Sequence, residues 1–319
     1  MGRIFLHLLC LLGSLGVGAL GRGAPADPWR LRLGFNSAMF IGVNEADARA
    51  SVRALSATIA HDNGIVADPN PQLFTGSDAI KAAVDGGRVD AIALTTAEFQ
   101  QIADPKRFDR YLFAVRGDDP SEEYLLLVSR LDHAVRLDEL RGKTLALVDG
   151  PRLALAMPWL EVTLAEAGLP EETVFFRQIS HQLKPSKAIL DVYFHKLDAC
   201  LTTRAAFAAM TELNPQIGTR LQTVAASPPL VPALFAIRTN LDAATKEQIV
   251  HVFATIHLTV AGQQALTIFQ VNQVSERPMG ILQPSFALLD QFAKLRPDLA
   301  AVYAARLRQG VALFAPEPR

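Results

Sequence analysis

The chain has 319 residues, half of them hydrophobic, and a formal net charge of −1 with no Lys/Arg block. That length suggests about two domains of ordinary size, and the apolar fraction is enough for a sizeable core. The lack of a clustered basic field argues against a nucleic-acid partner or an anionic membrane surface.

The first stretch, MGRIFLHLLCLLGSLGVGALGRGA, has Arg3, an apolar run from Ile4 to about Leu20, and then small residues. This is a secretory signal pattern. Ala19 and Gly21 fit the small-residue cleavage rule, so residues 1–21 are expected to be a signal peptide cut after Gly21. The run is short and Gly-rich for a membrane span. The residues before Cys10 (His7, Leu8, Leu9) are too large for a lipoprotein site. Gly16, Gly18 and Gly21 spell a dinucleotide fingerprint, but no strand precedes it and it lies inside the signal. With Cys10 gone, Cys200 stands alone and forms no internal disulfide. It reads as a small buried strand residue.

From Trp29 onward, strands alternate with helices. LRLGF (31–35) reads as a strand and 45–60 as a helix. SDAIKAAVDGG reads as a helix capped by Ser77 and stopped by Gly86. DAIAL (90–94) is a strand, and a further helix opens at Thr95. The order then returns. TLALV (144–148) is a strand and is followed by a helix ending near Gly168. TVFFRQI is a strand, SKAILDVYFHK a helix, DACL a strand and TTRAAFAAM a helix. Such alternation predicts an α/β fold built on mostly parallel sheets flanked by helices.

Two pieces align with each other: SDAIKAAVDGGRVDAIALTTAEF (77–99) and SKAILDVYFHKLDACLTTRAAF (186–207). Ser77 to Asp90 is 13 steps and Ser186 to Asp198 is 12. Two similar lobes are therefore expected. Joining segments 110–132 and 221–242 each have two extended runs around a turn, and are read as crossovers between lobes. On this reading lobe one holds 28–117 and, on its return, 229–319 with the C-terminal helices. Lobe two holds 118–228. The returning helix (241–266) is capped by Asp242, and SFALLDQFAKL is another amphipathic helix.

Ligands of parallel α/β sheets sit at the carboxyl ends of the strands. Those ends offer Asn36, Ser37, Thr95 and Thr96 in lobe one, and Asp149, Arg152, Ser180, His181, Thr202 and Thr203 in lobe two. Hydroxyls, amides, an Arg and a His suit a small polar or anionic molecule. Each Thr is equally a plain helix N-cap. Arg152 opens the helix after TLALV and either points into the cleft or lies on the surface. No hydrolase elbow, zinc-protease motif or P-loop occurs, and no His pair has ligand spacing, so no enzyme, cofactor or metal is expected.

The pieces LDELRGKTLALVD, AGLPEETVFF, ISH followed by a helix and KLDA, and ASPPLVPALFAIRTNLD stand in an order that resembles the phosphate/phosphite/phosphonate-binding proteins of ABC importers. The resemblance spans nearly all of the chain after the signal. It implies a two-lobed type II periplasmic-binding fold with two crossover hinges. It also implies a periplasmic, monomeric binding protein that passes a small anion, phosphonate- or phosphate-like, to an ABC permease. In that family a Ser-Thr-Ser cluster usually grips the anion at the helix start after ALVD. Here that stretch is GPRLALA, which weakens the expectation of inorganic phosphate and leaves room for a diverged ligand. The family's Ser-His pair is present as Ser180-His181, and the Asp of LDA as Asp198. A ligand sensor for a membrane signalling partner is the alternative role, and an enzyme on the same scaffold a third.

Overall fold

The computed structural model describes residues 30–310 apart from 64, 65, 105, 131, 132, 269 and 270. The expected signal and Cys10 lie outside the described residues. The first part runs β1 (Leu33–Asn36), α1 (Glu45–Asn63), β2 (Gln72–Phe74), α2 (Ser77–Asp85), β3 (Ala91–Thr95), α3 (Thr96–Ile102) and β4 (Phe108–Val115). The middle part runs β5 (Tyr124–Ser129), β6 (Thr144–Val148), α4 (Ala156–Glu166), α5 (Glu172–Phe175), β7 (Gln178–Gln182), α6 (Pro185–Tyr193), β8 (Ala199–Thr203), α7 (Arg204–Leu213), α8 (Pro215–Arg220) and β9 (Leu221–Ala226). The last part runs β10 (Ala233–Arg238), α9 (Ala243–Thr255), α10 (Val260–Ile268), β11 (Gln273–Glu276), α11 (Gln283–Leu295) and α12 (Pro297–Gln309).

Two mixed sheets result, in the orders β11-β4-β10-β3-β1-β2 and β7-β6-β8-β5-β9. In each, three parallel strands are followed by one antiparallel strand that has just arrived from the other half: β10 against β3, and β5 against β8. Strands such as AIALT and TLALV are buried along their whole length, as strands covered on both faces must be. The two-lobed expectation stands.

The internal repeat has a physical basis. Asp90 accepts the Arg32 backbone N–H at 2.9 Å, and Asp198 accepts that of Thr144 at 2.8 Å, so each carboxylate pins the neighbouring parallel strand. Thr95 caps α3 by accepting Glu98 N–H at 3.3 Å, and Thr203 caps α7 by accepting Ala206 N–H at 3.1 Å. The next residue donates its backbone N–H to the incoming segment in both halves: Thr96 to Pro232 and Arg204 to Glu123, each at 2.8 Å. The match thus pairs Thr95 with Thr203, one place away from a strict doubled-Thr alignment.

The crossovers touch each other. Glu122 donates its N–H to Leu230 at 2.7 Å and Leu230 returns one at 3.0 Å, a single antiparallel rung between the two connections. The α11–α12 hairpin adds a further tie. Leu288, Phe292 and Tyr303 sit in the core around the five-stranded sheet. The end of α12 meets the first half, where a Cβ on Gly76 (φ +83°) would lie 2.1 Å from the Arg308 carbonyl. Arg296, between the two helices, donates to buried Glu161 at 3.1 Å and to the Leu169 carbonyl at 2.6 Å.

Three local expectations differ from the structure. Ser77 is the first residue of α2 behind Gly76, and its hydroxyl bonds Gln101 instead of capping. TVFF forms the short helix α5 and its exit, because Phe175 and Phe176 turn inward as an edge-to-face pair 4.9 Å apart; the strand begins only at Gln178. The returning helix breaks at Ile256–Leu258, and its two arms meet at 93°. Cys200 is fully buried in β8, and burial pushes its thiol up.

Asp90 is fully buried and holds Arg32 by side chain as well as backbone, whereas Asp198 is exposed. Asp90→Ala is therefore expected to cost about 2–4 kcal/mol in denaturant unfolding, and Asp198→Ala less, about 1–2 kcal/mol, for the two Thr144 hydrogen bonds it accepts. Burial, with Glu161 and Glu171 close by, pushes the Glu172 carboxyl up to about 8. An unfolded Glu titrates near about 4.3, so this group's contribution is full below that pH and is lost as pH rises toward the folded value. Glu172→Gln should match the parent's melting temperature near about pH 4 and exceed it near about pH 9.

Candidate functional site

The carboxyl ends of β1 and β3 face those of β6 and β8. The turn Ser37–Phe40 after β1 packs against the turn Pro151–Leu153 after β6. Beside this contact opens a cleft of about 530 Å³. Its walls are largely apolar, with Val148, Leu153, Leu183 and the alanines of α7 on one side and Ile41 of the first half opposite. The lips meet at Gly42, whose φ of +81° only glycine adopts readily, and where an added Cβ would stand 2.9 Å from Leu183.

The charges at this cleft centre on Glu122, which is 4% exposed. One carboxylate oxygen is paired with Arg152 and the other lies 3.9 Å from Arg116. Both arginines line the cleft, and the Arg116 side chain is 51% exposed. A buried carboxylate without such partners would be costly, so the pairing fixes both the hinge-side acid and the Arg152 turn. Two tyrosines hold that turn from behind: Tyr124 donates to the Arg152 carbonyl and Tyr303 to the Ala154 carbonyl, each at 3.1 Å. Asp149 lies 3.0 Å from His181, and Glu212 stands at the rim.

The cleft brings together Asp149, Arg152 and Thr203 from the residues singled out in the sequence. His181 reaches it through Asp149 and is itself within β7. Ser180, also within β7, donates to the Leu145 carbonyl at 3.4 Å. Thr96 is fully buried, and its hydroxyl donates to the Val231 carbonyl at 2.6 Å. Thr95 is tied to Glu98 in a capping box, with its hydroxyl donating at 2.8 Å. Burial pushes the Glu98 carboxyl up, and the Thr95 bonds offset that only in part. Asn36 accepts the Ala38 N–H at 3.0 Å. Its amide nitrogen lies close enough to Glu98 to pull that pKa down, yet it is in hydrogen-bond geometry with no acceptor. Ser37 approaches Asn36 at 3.4 Å, and Thr202 is fully buried with its hydroxyl unpartnered.

The start of α4 also differs from expectation. Leu155 is fully buried and Ala156 is 5% exposed, so the Gly150–Leu153 turn, and not the helix start, faces the cleft. Sequence reading missed Arg116 and Glu122, which sit in a charged turn that looks solvated. No group of three or more His, Cys, Asp or Glu able to hold a metal occurs among the described residues.

A model of the family described as "ABC transporter, phosphonate, periplasmic substrate-binding protein" matches residues 44–276, well over half of the chain. No curated protein matches. Among solved structures, PhnD1 of Prochlorococcus marinus in complex with methylphosphonate is 13% identical, with a TM-score of 0.57 over 84% of this chain and 100% of that one. A binding-protein component of an ABC phosphonate transporter from Pseudomonas aeruginosa is 13% identical, with a TM-score of 0.54 over 88% and 95%. A Xanthomonas citri protein bound to ATP is 16% identical, with a TM-score of 0.56 over 84% and 98%. At these identities the likeness speaks for the fold.

Proposed function

Because the chain belongs to the phosphonate periplasmic substrate-binding protein family of ABC transporters, we propose that its cleft captures a small organic anion with an apolar body. Membership makes it a periplasmic solute-binding protein that serves a membrane transporter. The observation that carries the ligand reading is the cleft of about 530 Å³ where Arg116 and Arg152 converge on one carboxylate. Two guanidiniums at one point suit an oxyanion head, since Arg offers planar paired donors. The apolar walls suit the remainder of the molecule. The volume exceeds what a bare phosphate fills, and Pro151, Leu153, Ala154 and Leu155 bring no hydroxyl to the turn.

Binding acts without turnover. A ligand held by Arg152 of one half and by Ile41 and Arg116 on the other side stabilises the closed arrangement, and the population shifts toward it. The permease reads that closed shape. The protein works as a monomer, and export removes residues 1–21.

Arg116→Ala removes a half-exposed guanidinium and leaves Arg152 to neutralise Glu122. Calorimetric affinity for phenylphosphonate and benzenesulfonate should fall about tenfold or more, while the melting temperature stays within about 2 °C. Unchanged affinity for both would remove this reading of the cleft. N-terminal sequencing of protein recovered from the periplasm should begin at Arg22.

A further inference from the structure

We propose that Glu122 is a specificity-determining residue, a resident anion that makes the cleft favour a singly charged ligand over a doubly charged one of the same shape. This rests on the reading that an anion binds beside Arg116 and Arg152.

The Glu122 carboxylate already occupies the place an oxyanion would take between the two guanidiniums. One oxygen pairs with Arg152 and the other is 3.9 Å from Arg116. Glu122 does not swing away easily. It is 4% exposed, and its backbone is locked to Leu230 by two hydrogen bonds of 2.7 and 3.0 Å. The ligand's head must therefore share the arginines with this carboxylate. Two positive charges against one negative leave a single positive charge for the head. The remaining charged groups of the cleft add no surplus. Asp149, 3.0 Å from His181, and Glu212 at the rim are both carboxylates and add no positive charge. Glu122 stands behind Arg116 and Arg152 and does not itself line the cleft. A second negative charge on the ligand therefore faces it across the guanidiniums it already partly neutralises, and in a partly desolvated cleft that repulsion is stronger than in water. A sulfonate, a carboxylate or a phosphonate monoester thus matches the cleft better than a phosphonate dianion.

Benzenesulfonate and phenylphosphonate test this, because they share a shape and differ in charge. At about pH 8.5 the phosphonate carries two negative charges and the sulfonate one. Wild-type protein should bind benzenesulfonate about tenfold more tightly. Glu122→Gln keeps the shape and removes the charge, and should abolish or reverse that preference. Arg116→Gln removes one positive charge and should widen it, which keeps the test open if Glu122→Gln fails to fold. A wild-type preference for phenylphosphonate, or a ratio unmoved by both substitutions, overturns the role of Glu122 while leaving anion binding intact. Binding of neither compound to wild type or to any variant overturns the cleft reading as well.

Discussion

One rung of backbone pairing, between Glu122 and Leu230, holds the two connections of this protein side by side. Everything that moves one half against the other must flex or twist at that rung. The same residue that supplies the rung sends its side chain to Arg152, the polar tip of the turn after β6, and toward Arg116 at the end of β4. Hinge and cleft are therefore one electrostatic unit. A group that draws Arg152 or Arg116 outward weakens the neutralisation of a carboxylate that is almost fully buried, and the hinge adjusts with it.

Around that unit the two halves repeat one construction. An aspartate just ahead of the third strand pins its neighbour, a threonine caps the following helix, and the helix's first N–H is satisfied by the strand crossing in from the opposite half. The last feature explains why the antiparallel strand sits where it does. Without the segment that leads into β10, the N–H of fully buried Thr96 would be an orphan, and the Arg204 N–H bonds Glu123, the residue just ahead of β5. Each half is completed by chain that comes from the other.

Much of this was legible in the sequence. The strand-helix alternation, the doubled Asp-Ala run, the two crossover segments and the Asp242 cap all appear where local chemistry places them. What was hidden depends on contacts distant along the chain. Thr96 looks like a cap or a ligand contact until its hydroxyl meets Val231, 135 residues away. Glu122 and Arg116 sit in RGDDPSEE, which reads as a wet turn; only Arg152, 30 residues on, makes the acid a buried pivot. TVFF has strand-like composition, but burial of both rings overrode propensity. The helix start after β6 kept the expected order of elements, yet Leu155 and Ala156 are buried and it is the Gly150–Leu153 turn that lines the cleft.

The α11–α12 hairpin, lying beyond the region matched by the family model, grips both halves through Tyr303, Arg296 and the close approach of α12 to Gly76. A swing of one half against the other must carry or break these ties. A body with little travel surrenders little disorder when it shuts, so more of its contact energy survives as affinity. Entry of the proposed ligand would then depend on how often the gap is wide enough to admit a molecule.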